Sequence, residues 1–233
     1  MKGNKALYDK TKVGYYHEAM LKGKPVQRFW HRAKFATASE MIDQNKEILD
    51  AACGPGSLFY IMKKPMKKYI GMDLAESQVK YAKKIFPKAS YVVGDIYKIP
   101  FKEKSFDYIV MLELIEHLPE NEEVFKQTRK LLKSDGKLII STPNYRSLWP
   151  ILEKIWNLVS PIDYEEQHIN RYNIDRLVSE LKYAGYKKIK VKTRLFISPF
   201  FAIISTTLAL QIFKIEKYIF PRLGALIFIE AEN

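Results

Sequence analysis

A short apolar run that leads into a glycine turn is the feature that most constrains how this chain folds. Residues 47–52 predict a buried strand, and Cys53-Gly54-Pro55-Gly56 predicts a tight turn after it. An apolar helix is expected from Ser57 to about residue 62. In α/β proteins a strand, a glycine loop and a helix in this order let the backbone approach a ligand closely, so the segment predicts a ligand-binding unit.

The same alternation continues along the chain. Further strands are predicted at residues 68–73, 90–96, 106–114 and 136–142, with helices at 75–86 and 120–132. Five nearly continuous apolar strands separated by helices predict an α/β fold with a mostly parallel, doubly wound sheet. A helix at 173–184 and strands at 186–194 and 225–230 bring the sheet to seven strands. The charged face of strand 186–194 predicts that it lies at a sheet edge.

Composition narrows the setting of the protein. The chain has 233 residues, is 47% hydrophobic and shows no low-complexity linker, so we expect a single domain. The single Cys53 excludes an intramolecular disulfide, and residues 1–10 lack an apolar signal-peptide core, which predicts a cytoplasmic protein. No metal held by the protein is expected, because no HxH or HExxH spacing joins the four histidines, His17, His31, His117 and His168.

Three aspartates stand at the predicted carboxyl ends of neighbouring strands. Asp50 precedes the glycine turn, Asp73 closes the second strand and Asp95 closes the third. Carboxylates at this edge of a parallel sheet accept hydrogen bonds from ribose hydroxyls and an adenine amine. The turn lacks the third glycine of GxGxxG, and the chain has no GxxxxGK[ST] loop, so a nucleoside ligand without a pyrophosphate fits best.

Five short segments together carry a resemblance to a known family. They are Ile48-Leu-Asp-Ala-Ala-Cys-Gly-Pro-Gly-Ser57, Gly71-Met-Asp-Leu74, Gly94-Asp95-Ile96, Ser105-Phe-Asp-Tyr-Ile-Val110 and Leu131-Leu-Lys-Ser-Asp-Gly-Lys-Leu138. In this order and spacing the chain resembles the class I S-adenosylmethionine-dependent methyltransferases over roughly residues 45–185. Glu113-Leu-Ile-Glu-His-Leu118 and Gln167-His168 are also similar to the ubiquinone-biosynthesis O-methyltransferases of the small-molecule branch. The resemblance implies a Rossmann-like methyltransferase fold with helical lid insertions.

The resemblance also implies S-adenosyl-L-methionine as cofactor and a set of residues that contact it. Asp73 would accept hydrogen bonds from both ribose hydroxyls, and Asp95 would accept one from the adenine amine. Glu113 would line the methyl-transfer pocket. The family's loop is commonly Gly-x-Gly-x-Gly, and Ala52 departs from that pattern. The implied cofactor residues are Asp50, Ala52, Gly54, Gly56, Asp73, Leu74, Asp95, Ile96 and Glu113.

Two histidines are candidates for catalysis. A hydroxyl acceptor benefits from a general base near its proton, and His117 and His168 are expected near the pocket. A structural hydrogen-bonding role is the alternative for each. A helix at 25–42 carries Arg28 and Arg32 one turn apart, which either reach a cofactor or substrate carboxylate or form a solvated helix face.

An apolar segment near the C-terminus suggests the kind of acceptor. Residues 195–213 contain no charge and are flanked by Lys192, Arg194, Lys214 and Lys217. A membrane span would leave the last strand on the wrong side of the bilayer, so the segment is either a buried lid or a patch in the membrane interface. We expect a lid at 1–44, a cofactor-binding core at 45–145 and apolar insertions at 146–172 and 195–224, which overhang the crevice.

The leading hypothesis is methyl transfer to an O or N atom of a small apolar or lipid-linked acceptor, with peripheral contact to the inner membrane face through residues 195–213. The net charge of +13 raises an RNA methyltransferase as an alternative. Nucleic acid is disfavoured because an Asn/Asp-Pro-Pro-aromatic motif is absent after the fourth strand and no separate RNA-binding domain is visible. A non-catalytic member that binds the cofactor remains a further alternative.

Overall fold

A computed structural model describes residues 12–62, 68–159 and 168–233, except for the side chains of 155–159. Seven strands form one sheet in the order β3-β2-β1-β4-β5-β7-β6. Strands β1 to β5 pair in parallel, and β7 runs antiparallel to both β5 and β6. The strands are β1 Glu47–Ala51, β2 Lys68–Asp73, β3 Ser90–Val93, β4 Phe106–Leu112, β5 Leu132–Pro143, β6 Lys187–Arg194 and β7 Leu226–Glu232. The predicted mostly parallel α/β sheet is confirmed, and β6 lies at its edge as expected.

Helices cover both faces of this sheet. Those described are α1 Tyr15–Lys22, α2 Pro25–Glu40, α3 Ser57–Ile61, α4 Glu76–Ile85, α5 Asn121–Leu131, α6 Trp149–Val159, α7 Ile174–Tyr183, α8 Ser198–Phe201 and α9 Thr206–Ile219. A short 3-10 turn, Ile115–His117, follows β4. The sequence did not predict α1, because its mixed polar residues give only a weak amphipathic pattern.

Alternating side chains of the central strands explain the two layers. Leu49 and Ile109 belong to one buried cluster, together with residues of α5 and α7. Ile48 and Val110, one position before and after them, belong to a second cluster with residues of α2, α4 and α9. Because successive side chains of a strand point to opposite faces, strands that are apolar throughout require a covering layer on each side.

The third strand is shorter than predicted. It ends at Val93, whereas the sequence predicted residues 90–96. Asp95 starts a turn instead: its Oδ1 accepts a hydrogen bond from the Tyr97 amide at 2.9 Å, and its carbonyl accepts one from Lys98. Asp95 therefore sits in the loop beyond the strand, where its side chain folds back onto the local backbone.

The apolar segment 195–213 forms two helices rather than one. Helix α8 ends at Phe201, and α9 begins after Ser205, whose side chain accepts a hydrogen bond from the Leu208 amide. Buried Glu216 of α9 accepts hydrogen bonds from the four consecutive amides of residues 195–198 and from the Ser198 hydroxyl. These charge-assisted bonds fix the segment above the sheet. Within the described ranges, no helix combines the length and hydropathy that crossing a bilayer requires.

Candidate active site

A cavity of about 710 Å³ lies at the carboxyl ends of β1, β2 and β4. Strand-end loops form its floor, and residues of α2, α6 and α8 form its walls. Both candidate histidines and eight of the nine implied cofactor residues line it: Asp50, Ala52, Gly54, Asp73, Leu74, Asp95, Ile96, Glu113, His117 and His168. The topology therefore gathers into one cavity residues that span more than a hundred positions of the sequence.

Gly56 is the exception, because it does not line the cavity. Its backbone is left-handed, with φ of 80°, and a Cβ there would approach the Tyr91 hydroxyl to 2.9 Å and the Phe86 ring to 3.0 Å. These contacts give Gly56 a structural role in the turn, and its contact with the cofactor stays a prediction. At Gly54, where φ is 50°, a Cβ would meet no atom within 4 Å, so this stretch of backbone faces open space.

Ala52 also adopts a left-handed conformation, with φ of 72°. Its amide and that of Cys53 both donate to the Met72 carbonyl, at 2.7 and 2.9 Å. These two bonds hold the loop after β1 against the end of β2. A non-glycine residue with a left-handed backbone is strained and persists only where the surrounding structure enforces it. Such residues are found most often at ligand sites.

Asp73 connects two of the loops that form the cavity floor. Its Oδ2 accepts a hydrogen bond from the Gly54 amide at 2.8 Å, and its Oδ1 accepts one from the Ala75 amide at 2.9 Å. Burial raises the pKa of Asp73, while these backbone hydrogen bonds oppose the rise. Asp73 therefore sets the position of the glycine turn and also presents a carboxylate to the cavity.

Asp50 is buried beneath the same turn and shares a hydrogen bond with Tyr69, whose hydroxyl donates to Oδ2. Burial raises the pKa of Asp50 from 3.8 to about 7; the Tyr69 hydrogen bond opposes the rise, and the nearby charge of Asp73 adds to it. A cationic ligand group beside Asp50 would favour its ionised form. The carboxyl groups of buried Asp50 and half-buried Asp73 thus suit a positively charged ligand.

Leu74, Asp95 and Ile96 lie at the part of the cavity formed by the loops after β2 and β3. Ile96 is buried, and Asp95 is half-buried with Oδ1 engaged by Tyr97. The arrangement offers apolar side chains that can cover a flat ring and a carboxylate that can accept a hydrogen bond from its edge.

Two acidic residues close the other part of the cavity. Glu113 has a left-handed backbone, with φ of 52°, and its Oε1 accepts a hydrogen bond from the Ser141 hydroxyl at 2.6 Å. Glu116 is fully buried, and its Oε2 accepts one from the Thr142 hydroxyl at 3.0 Å. Burial, and then the charge of Glu113, hold the pKa of Glu116 well above its ordinary range. Sequence reasoning gave Glu116 no role, although it stands three residues after Glu113 in the same motif.

The two histidines lie against each other beside these carboxyl groups. The ring centroids of His117 and His168 are 4.9 Å apart. Each of Glu116, His117 and His168 places a ligand atom within 4.8 Å of the others, close enough to hold a metal ion. No HxH or HExxH spacing joins these histidines, but the fold brings the two together from distant positions of the chain. The expectation that the protein holds no metal stays a prediction.

Glu153 of α6 orients His168, and the sequence gave no sign of it. His168 Nδ1 lies 2.6 Å from Glu153 Oε1 and 3.0 Å from the Tyr145 hydroxyl. Glu153 is buried and also accepts hydrogen bonds from Tyr145 and from the Trp149 indole. Although burial raises it, the hydrogen bonds from His168 and Tyr145 hold the pKa of Glu153 below its ordinary value. Glu153 and His168 are 15 positions apart in the sequence, which explains why no local pattern predicted their contact.

For Arg28 and Arg32 of α2, the sequence left open a ligand contact or a solvated helix face. Neither Arg28 nor Arg32 lines the cavity, and Arg32 Nε instead donates to the Met20 carbonyl at 3.1 Å, which joins α2 to α1. Lys34 and His31 line the cavity and are buried. Burial, and then the charge of Lys34, hold the pKa of His31 well below its ordinary range. The face of α2 that carries Lys34 and His31, rather than the arginine face, is turned toward the cavity.

Replacement of Asp50 by Asn is expected to change how stability depends on pH in the protein without ligand. With its pKa raised to about 7, Asp50 keeps a proton in the folded state that it loses in the unfolded state above about pH 4. The stabilisation of the folded state by protonated Asp50 is therefore full below about pH 4 and is lost as the pH rises through about 7. Asn has no proton to lose, so the variant does not share this loss. Relative to wild type, the free energy of unfolding of Asp50→Asn should therefore rise by about 2–3 kcal/mol between about pH 5 and about pH 8.

Urea unfolding at both pH values measures this difference. Asp135→Asn, at an exposed position, serves as the control and should show the same difference from wild type at both. A constant difference for Asp50→Asn would contradict the raised pKa.

Comparison with known proteins identifies the family. Residues 24–191 match the methyltransferase domain family. A probable S-adenosylmethionine-dependent methyltransferase of Mycobacterium tuberculosis is 23% identical over 163 residues, which cover 69% of this chain and 57% of that protein. The ubiquinone biosynthesis O-methyltransferase of Coxiella burnetii is 32% identical over 105 residues, which cover 43% of this chain and 45% of that protein. The chain thus spans about half the length of the relatives it matches.

Solved structures share the fold. A methyltransferase of Thermotoga maritima, described as a possible histamine N-methyltransferase, superposes with a TM-score of 0.71 at 20% identity over 95% of both chains. Phosphoethanolamine N-methyltransferase 2 of Haemonchus contortus, solved with S-adenosyl-L-methionine, gives a TM-score of 0.66 at 17% identity over 98% of this chain and 59% of that one. With the family match over most of its length, this chain belongs to the S-adenosylmethionine-dependent methyltransferases.

Proposed function

We propose that this protein transfers the methyl group of S-adenosyl-L-methionine to an O or N atom of a small apolar or lipid-linked acceptor. One observation carries the proposal: a single cavity is lined by the strand-end carboxylates that suit a nucleoside and, beside apolar walls, by His168, which is held by a hydrogen bond with buried Glu153. The first group matches the cofactor, and the second offers a base for an acceptor.

The residues present fit the cofactor's chemical groups. Asp73 would accept hydrogen bonds from the ribose hydroxyls, and the open backbone of Gly54 leaves room for the methionine portion. Asp50 would stabilise the cationic end of the cofactor. Asp95 would accept a hydrogen bond from the adenine amine. Leu74, Ile96 and Ala52, which line the same cavity, would also contact the cofactor.

The chemistry is an in-line displacement, for which the bound cofactor supplies an activated methyl group on a sulfonium. This chain's contribution is to align the acceptor and exclude water. For a hydroxyl acceptor, His168 would take the proton, while Glu153 holds its ring through Nδ1. His117 lies against the same ring and Glu113 in the same cavity, so both would border the transferring methyl group.

The walls of the acceptor part of the cavity support an apolar substrate. Trp30 and Trp149 lie with ring centroids 5.5 Å apart, and Leu152, Phe200 and Ile203 extend the apolar lining. The names of two relatives refer to ubiquinone or menaquinone compounds. They are the ubiquinone biosynthesis O-methyltransferase and a demethylmenaquinone methyltransferase of Thermotoga maritima, which is 28% identical over 97 residues, 41% of this chain and 42% of that protein. A flat or extended apolar acceptor fits these walls. Location in the cytoplasm remains a prediction.

Incubation with methyl-labelled S-adenosyl-L-methionine and a cell extract tests the proposal. The label should partition into organic solvent after extraction, because the acceptor is apolar. Label found only in RNA would contradict the apolar acceptor and favour the RNA methyltransferase alternative. Cofactor binding without any transfer of label would favour a non-catalytic member of the family.

Loss of the histidine base should slow methyl transfer to a hydroxyl acceptor without weakening cofactor binding. We expect His168→Ala to lower kcat by about a hundredfold or more, and Glu153→Gln to lower it by about tenfold, since Gln keeps the size but removes the charge that holds the ring. The KM for S-adenosyl-L-methionine should stay within about twofold.

Initial rates of label transfer at saturating cofactor measure the effect. Glu122→Gln, at an exposed position on α5, is the matched control and should keep the wild-type rate. Unchanged kcat in both His168→Ala and Glu153→Gln would refute the base, and a parallel loss of cofactor affinity would indicate a structural role.

A further inference from the structure

Exposed apolar side chains concentrate in one part of the chain. Among the described residues, 16 large hydrophobic side chains are exposed, and eight of them lie between positions 200 and 223. We call residues 195–223, which comprise α8, α9 and their connections, the roof. The eight are Phe200, Ile203, Ile204, Leu210, Ile215, Tyr218, Ile219 and Leu223. A patch of this kind on a globular domain marks an interaction surface.

Other side chains of the roof already pack against the rest of the protein, so the exposed side chains are not the ones that hold the roof in place. Ala209 is fully buried, and the Phe213 ring packs edge-on against Phe29 of α2 at 6.0 Å. Glu216 is held by the amides of residues 195–198. The roof is therefore seated by its inner face, while Ile204 at 74% exposure and Tyr218 at 75% point away from the protein.

The patch is continuous with the mouth of the cavity. Phe200 and Ile203 are exposed and also line the cavity, as does exposed Lys24 at the start of α2. An apolar acceptor that leaves a lipid phase beside the roof would therefore meet apolar side chains all the way to Trp30 and Trp149.

Three basic side chains lie beside the exposed apolar residues in the second half of the roof, at Lys214, Lys217 and Arg222. Lys214 and Arg222 are exposed on the roof, and the Lys217 ammonium lies 4.7 Å from the centre of the Tyr218 ring. The whole chain carries a net charge of +13. Exposed apolar side chains followed by Lys and Arg, together with an exposed Tyr, match a bilayer interface that bears anionic headgroups.

We propose that the roof docks on the surface of an anionic lipid bilayer and opens the cavity mouth toward the membrane. The apolar side chains enter the interface between headgroups and acyl chains, and the basic side chains pair with the anionic headgroups. The docking step itself does not require methyl transfer; the benefit to an apolar acceptor rests on the proposed function.

Vesicle flotation with the full chain tests the proposal. Wild-type protein should float with vesicles of phosphatidylcholine and phosphatidylglycerol, and less with phosphatidylcholine alone. For the double variant Ile204→Glu and Ile215→Glu, the fraction of protein bound to vesicles should fall by about tenfold or more. Each change removes an apolar side chain that enters the bilayer interface and adds a negative charge. Neither side chain lines the cavity.

A second double variant supplies a control of equal charge change. Ile85→Glu and Tyr183→Glu replace exposed side chains on α4 and α7, outside the roof, and should leave flotation unchanged. Calorimetric titration with S-adenosyl-L-methionine should give the wild-type affinity for both double variants, which separates docking from the proposed function.

Three results would overturn docking on a bilayer. The first is no flotation of wild type with anionic vesicles. The second is equal loss in both double variants, which would indicate a general charge effect. The third is a wild-type dimer in light scattering that the roof variant alone converts to a monomer, because the patch would then bind a second copy of the chain.

Discussion

The parallel pairing of β1 with both β2 and β4 is the constraint on which the site depends. It brings the ends of three strands to one edge of the sheet, where the chain must turn away into a helix or loop. The Asp73 carboxylate then ties the turn after β1 to the loop after β2 through the amides of Gly54 and Ala75. Because Asp73 is part of the turn's own hydrogen bonding, the cavity floor exists before any ligand arrives.

Local patterns were sufficient to predict the sheet and the strand-end aspartates that line the cavity. Apolar runs and glycine punctuation located all seven strands, with errors of a few residues at their ends, and the placement of Asp50, Asp73 and Asp95 followed from the rule for parallel sheets. The error at Asp95 has a local cause, since its side chain favours a turn over continued strand.

The surroundings of His168 could not be predicted in the same way, because the residues that contact it meet it only through tertiary packing. Glu153 and His168 stand 15 positions apart, and no pattern in the sequence pairs them. The face that α2 turns inward was also not evident: the arginines looked suited to a ligand, but Arg32 is engaged by the Met20 carbonyl, and Lys34 faces the cavity. The long apolar segment was identified as unusual, but only its packing showed which side chains stay exposed.

Calorimetric titration of S-adenosyl-L-methionine into wild type and Asp73→Ala, with exposed Asp135→Ala as the control, is the decisive test of the cofactor site. We expect one cofactor bound per chain and an affinity about tenfold or more lower in Asp73→Ala, since a buried charge-assisted hydrogen bond contributes roughly 1.5–3 kcal/mol. No binding by the wild type, or equal affinity in wild type and Asp73→Ala, would contradict a cofactor site built on the strand-end carboxylates.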